Sequence, residues 1–267
     1  MKFFTFTLVL TVFLQTLLGG KSLMASDGRL EPKRLLSLLK LDTPGMEKVK
    51  AATAARDYAC AEEELLRYMR NRDEVKTRIP WRRRADHKGR YASKEELAIA
   101  DDALRRLFGG HPGDHERLFP AQQFGKDIDW KSNAVKDREW IWHFNMMPFW
   151  RTLARAYWHT GDEKYAQEFF RQIDDWVAKN PPDGNMATWR RIDAGIRTAG
   201  SWPDAYFHFL TSPFLTPRTH THILPGFYEH AAYLHSGRFG PRNHGLFAAR
   251  GLLFVSVLFP ECKDARE

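Results

Sequence analysis

The chain holds only two cysteines, Cys60 and Cys262. That excludes a disulfide framework and a cysteine zinc cluster, and leaves either one bridge formed after export or two buried thiols. Sustained alternation of polar and apolar residues is missing too, so strands are not expected. The segment AYWHTGDEKYAQEFF looks like a tetratricopeptide turn around Gly161 and Asp162, but nothing recurs at that repeat's period, which argues against a repeat array. Also lacking is an apolar run of the roughly 20 residues that span a bilayer. The first apolar run, Phe3 to Leu18, follows Lys2 and precedes small residues and LMAS. This is the layout of a signal peptide over residues 1–25, cleaved near Ala25, and it places the protein in the periplasm or outside the cell with no membrane anchor after cleavage. The second, Leu246 to Phe259, contains Arg250 and suits a buried helix.

What the sequence has is aromatic mass and positive charge. Among 267 residues, 43% are hydrophobic, enough for a substantial core and too many for a disordered chain. Lys and Arg number 41 against 33 Asp and Glu, a net charge of +8 that suits an acidic partner without separating nucleic acid from an anionic polysaccharide. Nine Trp and nineteen Phe exceed an ordinary loading, and indole faces left outside a core stack well on sugar rings.

The remaining pattern is helical. Thr43 and Pro44 read as an N-cap and first-turn proline opening one long helix to Arg72, and Ser93 with Glu96 reads as a capping box. Further helices are expected at about 137–159, 162–179, 187–210 with a break near Pro203, 217–235 and 244–259, with an ordered aromatic loop before the first of these. Helices of this length with short connections imply antiparallel hairpins set in an array or ring. The chain stops at ECKDARE directly after an apolar helix, which reads as a truncation.

Several segments invite chemistry, each beside a plainer reading. RIPWRRRADHKGR, Arg78 to Arg90, sets six basic residues against Asp86 and is either a contact for an anionic polymer or a solvated loop. His220, His222 and His230 are close in sequence, but the first two point to different helix faces, which disfavours a metal site. Arg190, Asp193 and Arg197 share one helical face beside Trp189 and Trp202. That face is either a surface ion-pair ladder or a cleft wall that stacks a sugar and grips its carboxylate. In GPRNHGLF, Asn243 and His244 start the apolar helix. Asn243 alone reads as an N-cap. Together the two suit elimination at a uronic acid, in which an amide neutralises the carboxylate and acidifies the C5 proton, an imidazole handles that proton, and the helix N-terminus favours the developing enolate.

FPAQQFGKDIDW, DREWIWHFN, LARAYWHTGDEKYAQEF, WRRIDAGIR and NHGLFAARGLLF, in that order, resemble the N-terminal helical domain of the heparinase II/III type polysaccharide lyases and the related alginate lyases. The likeness runs over roughly residues 30–262. It implies an all-α chain, an incomplete α/α toroid over residues 26–267, whose family partner, a C-terminal antiparallel β-sandwich, is absent from this chain. It further implies β-elimination of acidic polysaccharides, here heparan sulfate-like or alginate-like, and not nucleic acid binding. Asn243 matches the asparagine that neutralises the uronate and His244 its neighbouring histidine, the pair expected to be catalytic. Asn145 matches an asparagine of an Asn-Arg-His stretch; Met146 and Met147 replace the other two. Asn145, Trp189, Arg190, Asp193 and Arg197 are the expected substrate contacts. The family's catalytic tyrosine and a further histidine fall downstream, so the chain alone is expected to be inactive. The chemistry requires no cofactor, and a metal would belong to the downstream region.

Two other classes compete. An α/α-toroid glycoside hydrolase needs paired carboxylates, for which Asp193 with Asp204 or Asp183 are the candidates. A non-catalytic protein would bind acidic glycans without turnover.

Overall fold

The computed structural model describes residues 28–263 apart from 73–74, 76, 112–118, 238–239 and 241. The expected signal segment, 1–25, lies outside the described residues. Eleven α-helices are present among them: α1 (Pro32–Ser37), α2 (Glu47–Ala54), α3 (Tyr58–Asn71), α4 (Lys94–Leu104), α5 (Arg138–Met146), α6 (Pro148–Thr160), α7 (Lys164–Lys179), α8 (Arg191–Thr198), α9 (Ser201–Phe209), α10 (Pro217–His235) and α11 (Arg242–Leu258). A 3-10 helix spans Trp81–His87.

Local chemistry explains most boundaries. Ser93 and Glu96 form the expected capping box at α4. Thr216 caps α10, accepting from Thr219 N, ahead of Pro217 at a position whose N–H has no helical partner anyway. Four expectations are corrected. The helix expected from Thr43 starts at Glu47 and breaks at Ala55–Asp57, where Arg56 takes φ 60° and the Asp57 side chain accepts from Cys60 N to cap α3. The expected 137–159 helix breaks at Met147, φ 54°, because Pro148 disfavours helical backbone in the residue before it. The 187–210 helix breaks at Gly200 and not at Pro203, which sits in the first turn of α9 where a missing N–H costs no bond. Strands were not expected, yet β1 (Leu107–Phe108) pairs antiparallel with β2 (Gln122–Gln123), a ladder too short to leave a periodic signal.

The helices form two layers running in opposite directions. Arg151 pairs with Asp204, and Ser201 Oγ donates to the Met146 carbonyl, so α5–α6 and α8–α9 run side by side in the same sense. Gly195 meets Phe247 and Ala248, and Gly251 meets Thr198, so α11 joins them as a third parallel member. Packed against this layer in the reverse sense, α7 pairs Gln172 with Trp150, and α10 pairs His230 with Arg197. The result is an all-α incomplete α/α toroid. Its core is dominated by indoles: Trp130, Trp150, Trp158, Trp176, Trp189 and Trp202 are all at most 2% exposed.

The segment after α11 returns to the start of the described chain. Lys40 N donates to the Glu261 carbonyl at 2.7 Å, and Lys263 N to the Leu38 carbonyl at 2.9 Å. Cys60 and Cys262 are both free and half-buried. Along α11, Leu246, Leu253 and Val257 are exposed and share one face, as expected of an apolar helix whose outer side meets none of the described residues. No helix among the described residues is long and apolar enough to cross a membrane.

Candidate active site

Because α8 and α11 run parallel and touch, their first turns lie at the same end of the molecule. Closeness there depends on absent side chains. A Cβ on Gly195 would collide with the Phe247 carbonyl, and one on Gly251 with Thr198 Oγ1 and Gly195 Cα. A Cβ on Gly245 would collide with the Gly240 carbonyl, so the incoming chain folds directly over the first turn of α11. That turn begins at Arg242, whose φ is 70°, and presents Asn243 and His244 exposed. Asn243 therefore stands inside the helix, one position after its start, and not at the N-cap.

Arg190 precedes α8 at the same end. Its guanidinium lies 3.7 Å from the ring centroid of Trp142, and its Nη1 is 3.5 Å from Asp193 Oδ1. Its neighbour Arg191 donates to the Tyr233 and Leu234 carbonyls, closing the C-terminus of α10 with a cation. Arg190, Arg242 and the N-termini of α8 and α11 thus bring positive charge to this end, while Arg191 answers the C-terminus of α10 and Asp193 and Glu139 set acids beneath it.

Beneath Arg190 lies a buried polar layer. Arg197 is fully buried between Trp176 and Trp189, 4.7 and 5.2 Å from their centroids. Its Nε donates to His230 Nε2 at 2.6 Å and its Nη1 to the Asn145 carbonyl at 3.3 Å. His230 Nδ1 lies 2.6 Å from the Gly226 carbonyl, which makes Nδ1 the protonated nitrogen and leaves Nε2 free to accept. Burial, then the adjacent Arg197, hold this imidazole well below its ordinary pKa. Burial lowers Arg197 itself to about 9. Asp193 is 1% exposed, and no hydrogen bond reaches its carboxyl from the described residues. Burial raises it to about 7 against the pull of Arg190 and Arg197.

The expected contacts therefore separate into two groups. Asn243, His244 and Arg190 are gathered at one end with access to solvent. Asn145, Trp189, Asp193 and Arg197 are not surface groups, which corrects their reading as direct sugar contacts in this chain. Asn145 has no exposure and uses its amide internally, donating to the Trp130 and Ile141 carbonyls and accepting from Trp176 Nε1. The Trp189 ring is enclosed by Trp176, His230 and Tyr233 and donates to the Asn180 carbonyl. These four support the floor under Arg190. His230 stood out in the sequence only beside His220 and His222; its pairing with Arg197, 33 residues away, has no local signal. Trp142 was within reach, lying in the DREWIWHFN motif that also holds Asn145.

The carboxylate pairs expected of a hydrolase do not assemble. Asp193 is buried on α8 beside Arg190, and Asp204 stands on α9 beyond the break at Gly200, so the two carboxylates face different partners and do not flank a common space. Asp204 is paired with Arg151, and Asp183 lies near Lys131. The three histidines also go separate ways, to Tyr206, Asp174 and Arg197 respectively. Among the described residues no group of three or more His, Cys, Asp or Glu is placed to hold a metal.

Fold and site together define a helical toroid with an anion-biased end bearing an exposed amide and imidazole. The chain belongs to the heparinase II/III family: the model of the heparinase II/III N-terminus matches residues 35–267. It is 35% identical over 234 residues to a heparin-sulfate lyase of Pedobacter heparinus, covering 85% of this chain and 34% of that protein. A heparin-sulfate lyase of Bacteroides stercoris is 32% identical over 251 residues, covering 86% and 36%. Among solved structures, a heparinase III gene product superposes with a TM-score of 0.77 at 31% identity over 88% of this chain and 38% of the other. Heparan sulfate lyase HepC from Pedobacter heparinus gives 0.73 at 30%, over 88% and 37%. The chain thus spans about a third of the length of the curated relatives it matches.

Proposed function

We propose that this chain is the N-terminal helical part of an exported polysaccharide lyase, acting in the periplasm or outside the cell on a uronate-containing glycan by β-elimination. The observation that carries the reading is the exposure of Asn243 and His244 on the first turn of α11, beside Arg190 at the anion-biased end. The Asn243 amide donates to the uronate carboxylate. Charge moving onto that carboxylate as the C5 proton leaves is stabilised by the same bond and by the helix N-terminus. His244 exchanges the proton, together with the tyrosine and histidine that the resemblance puts downstream. The C5–H electrons form the C4–C5 double bond as the bond from C4 to the glycosidic oxygen breaks, and the leaving oxygen takes up a proton. Water is not consumed.

The names of the relatives favour a heparan sulfate-like polymer over an alginate-like one. The full-length protein, incubated with each polymer, is expected to generate ultraviolet absorbance from a conjugated uronate, and this chain alone is not. Cleavage by the full-length protein without such absorbance means hydrolysis and defeats the proposal. Binding without cleavage leaves the non-catalytic reading.

A further inference from the structure

The basic run Arg78 to Arg90 is left over by the site just described, and its placement is specific. The 3-10 helix at its centre is clamped to the body. Trp81 is buried against Phe207 of α9 and its Nε1 donates to the Arg70 carbonyl at 3.1 Å. Arg84 turns inward over the Tyr157 ring at 4.4 Å, and Gly89 N donates to the His159 carbonyl at 2.7 Å. With these anchors fixed, Arg78, Arg82, Arg83, Lys88 and Arg90 remain exposed. Phe207 and His159 stand near the C-terminal ends of α9 and α6, whereas the first turns of α8 and α11 open the same parallel layer at its other end, so the run sits away from those turns.

Among the described residues, the nearby acids do not cancel it. Asp86 pairs with Arg83 at 2.8 Å on the surface, where such a pair is worth little. Glu96 is taken by Arg155, and Glu163 lies 3.7 Å from inward-facing Arg84. Asp204 is held by Arg151 at 3.0 Å, and Arg78 and Arg155 also act on it. Fixed exposed cations spread over one clamped segment match a polymer with repeating anions better than a single small anion, because each pairs with a different charge along the strand.

We propose that this segment is a second binding surface, which holds a stretch of acidic polysaccharide, through its sulfate or carboxylate groups, outside the cleft. The choice of a glycan over a nucleic acid rests on the lyase reading. The surface would keep a long substrate tethered between cleavage events.

The test measures binding of long heparan sulfate chains to this chain at two salt concentrations. It compares the parent, the fourfold variant Arg78→Ser, Arg83→Ser, Lys88→Ser, Arg90→Ser, and a charge-keeping variant with Lys at the three Arg positions. Circular dichroism checks that each is folded. The fourfold variant is expected to bind at least about tenfold more weakly and with a shallower salt dependence, since fewer counterions are released. The charge-keeping variant is expected to bind like the parent. Parent-like binding by the fourfold variant overturns the proposal. So does equal loss in a folded charge-keeping variant, or equally tight binding of duplex DNA by the parent at the same salt. Turnover is scored separately: a full-length protein that forms no unsaturated product while this charge-dependent binding persists defeats the lyase reading alone.

Discussion

Arg72 Nη1 donates to both carboxylate oxygens of Glu261, at 2.6 and 2.7 Å, although the two residues are 189 positions apart. Both side chains are nearly inaccessible, at 3% and 2%. Arg72 Nη2 also donates to the Leu258 carbonyl at 2.9 Å, and Tyr68 Oη to Glu261. The end of α3 is thereby fastened to the end of α11, the helix whose other end carries Asn243.

Removing one partner leaves a buried charge without its counter-charge. Glu261→Ala is expected to destabilise the chain by about 3–5 kcal/mol. The double change Arg72→Met, Glu261→Leu should recover most of that loss, since no charge is then stranded. Denaturant titration of the two variants checks both statements, and a single mutant as stable as the parent refutes the first.

Gly251 offers a test by sign. Alanine in place of a helix-interior glycine normally stabilises by about 0.5–1 kcal/mol. Here the added methyl would press on Thr198 Oγ1 and the Gly195 backbone, so Gly251→Ala is expected to cost about 1–3 kcal/mol. A raised melting temperature would show that α8 and α11 are not held at this distance in solution.

Asp193 makes a pH-dependent prediction. Its folded pKa, about 7, lies above the ordinary 3.8, so the fold favours the protonated carboxyl. Between these values the folded chain binds more protons than the unfolded one. The contribution of Asp193 to stability is therefore fully present below about pH 4, declines as pH rises, and is lost above about pH 7. Asn mimics the neutral acid throughout. The stability of Asp193→Asn relative to the parent is expected to shift in the variant's favour by up to about 4 kcal/mol between pH 4 and pH 8. Chemical denaturation at both pH values measures it, and a pH-independent difference would place the carboxyl in contact with solvent.

The buried histidines act in the opposite sense. Burial lowers His208 to about 4 and His220 to about 3, and His230 is also depressed. Below about pH 6.5 the unfolded chain takes up the protons that the folded chain refuses. These three therefore stabilise fully above that pH, and the benefit is lost as pH falls toward their folded values. Asp204 and Glu229, also raised by burial but less than Asp193, add to the opposing side, and the three histidines outweigh it over the shared window, so the melting temperature is expected to fall from pH 7 to pH 5. A rise over that interval would contradict the neutral, buried state of the imidazoles.

How far the sequence foretold this arrangement depends on what kind of information each feature uses. Helix caps are local, so Ser93 with Glu96 was legible from four residues. The break at Met147 was also written locally, in Pro148, but was outweighed by the apolar pattern on either side. Facing is not local. Trp189 and Arg197 have a spacing that suits a cleft wall or a core equally, and only α10, bringing His230 against Arg197, decides for burial. A guanidinium was expected outside because its charge needs company; an imidazole acceptor, a carbonyl and two indole faces supply that company from four separate segments. The place of Asn243 and His244 at the start of α11 was legible because glycine and helix-start chemistry mark that turn locally.

Those two residues carry the decisive prediction for the full-length protein. Asn243→Ala is expected to lower kcat about 100- to 1000-fold, equivalent to about 2.7–4 kcal/mol, with a much smaller effect on ground-state binding. The amide's bond to the carboxylate strengthens as charge develops during C5 deprotonation, so its loss falls mainly on the transition state. His244→Ala is expected to be severe as well, and to combine non-additively with loss of the downstream tyrosine if the two exchange the same proton. A structural role would look different. Asn243 lies exposed within the first turn of α11, so truncating it should cost at most about 1 kcal/mol of stability. Turnover and melting temperature measured on one preparation separate the outcomes: a variant with full turnover per folded molecule, whatever its melting temperature, removes Asn243 from the chemistry and leaves exposed His244 and partly buried Arg190 to carry the expected site.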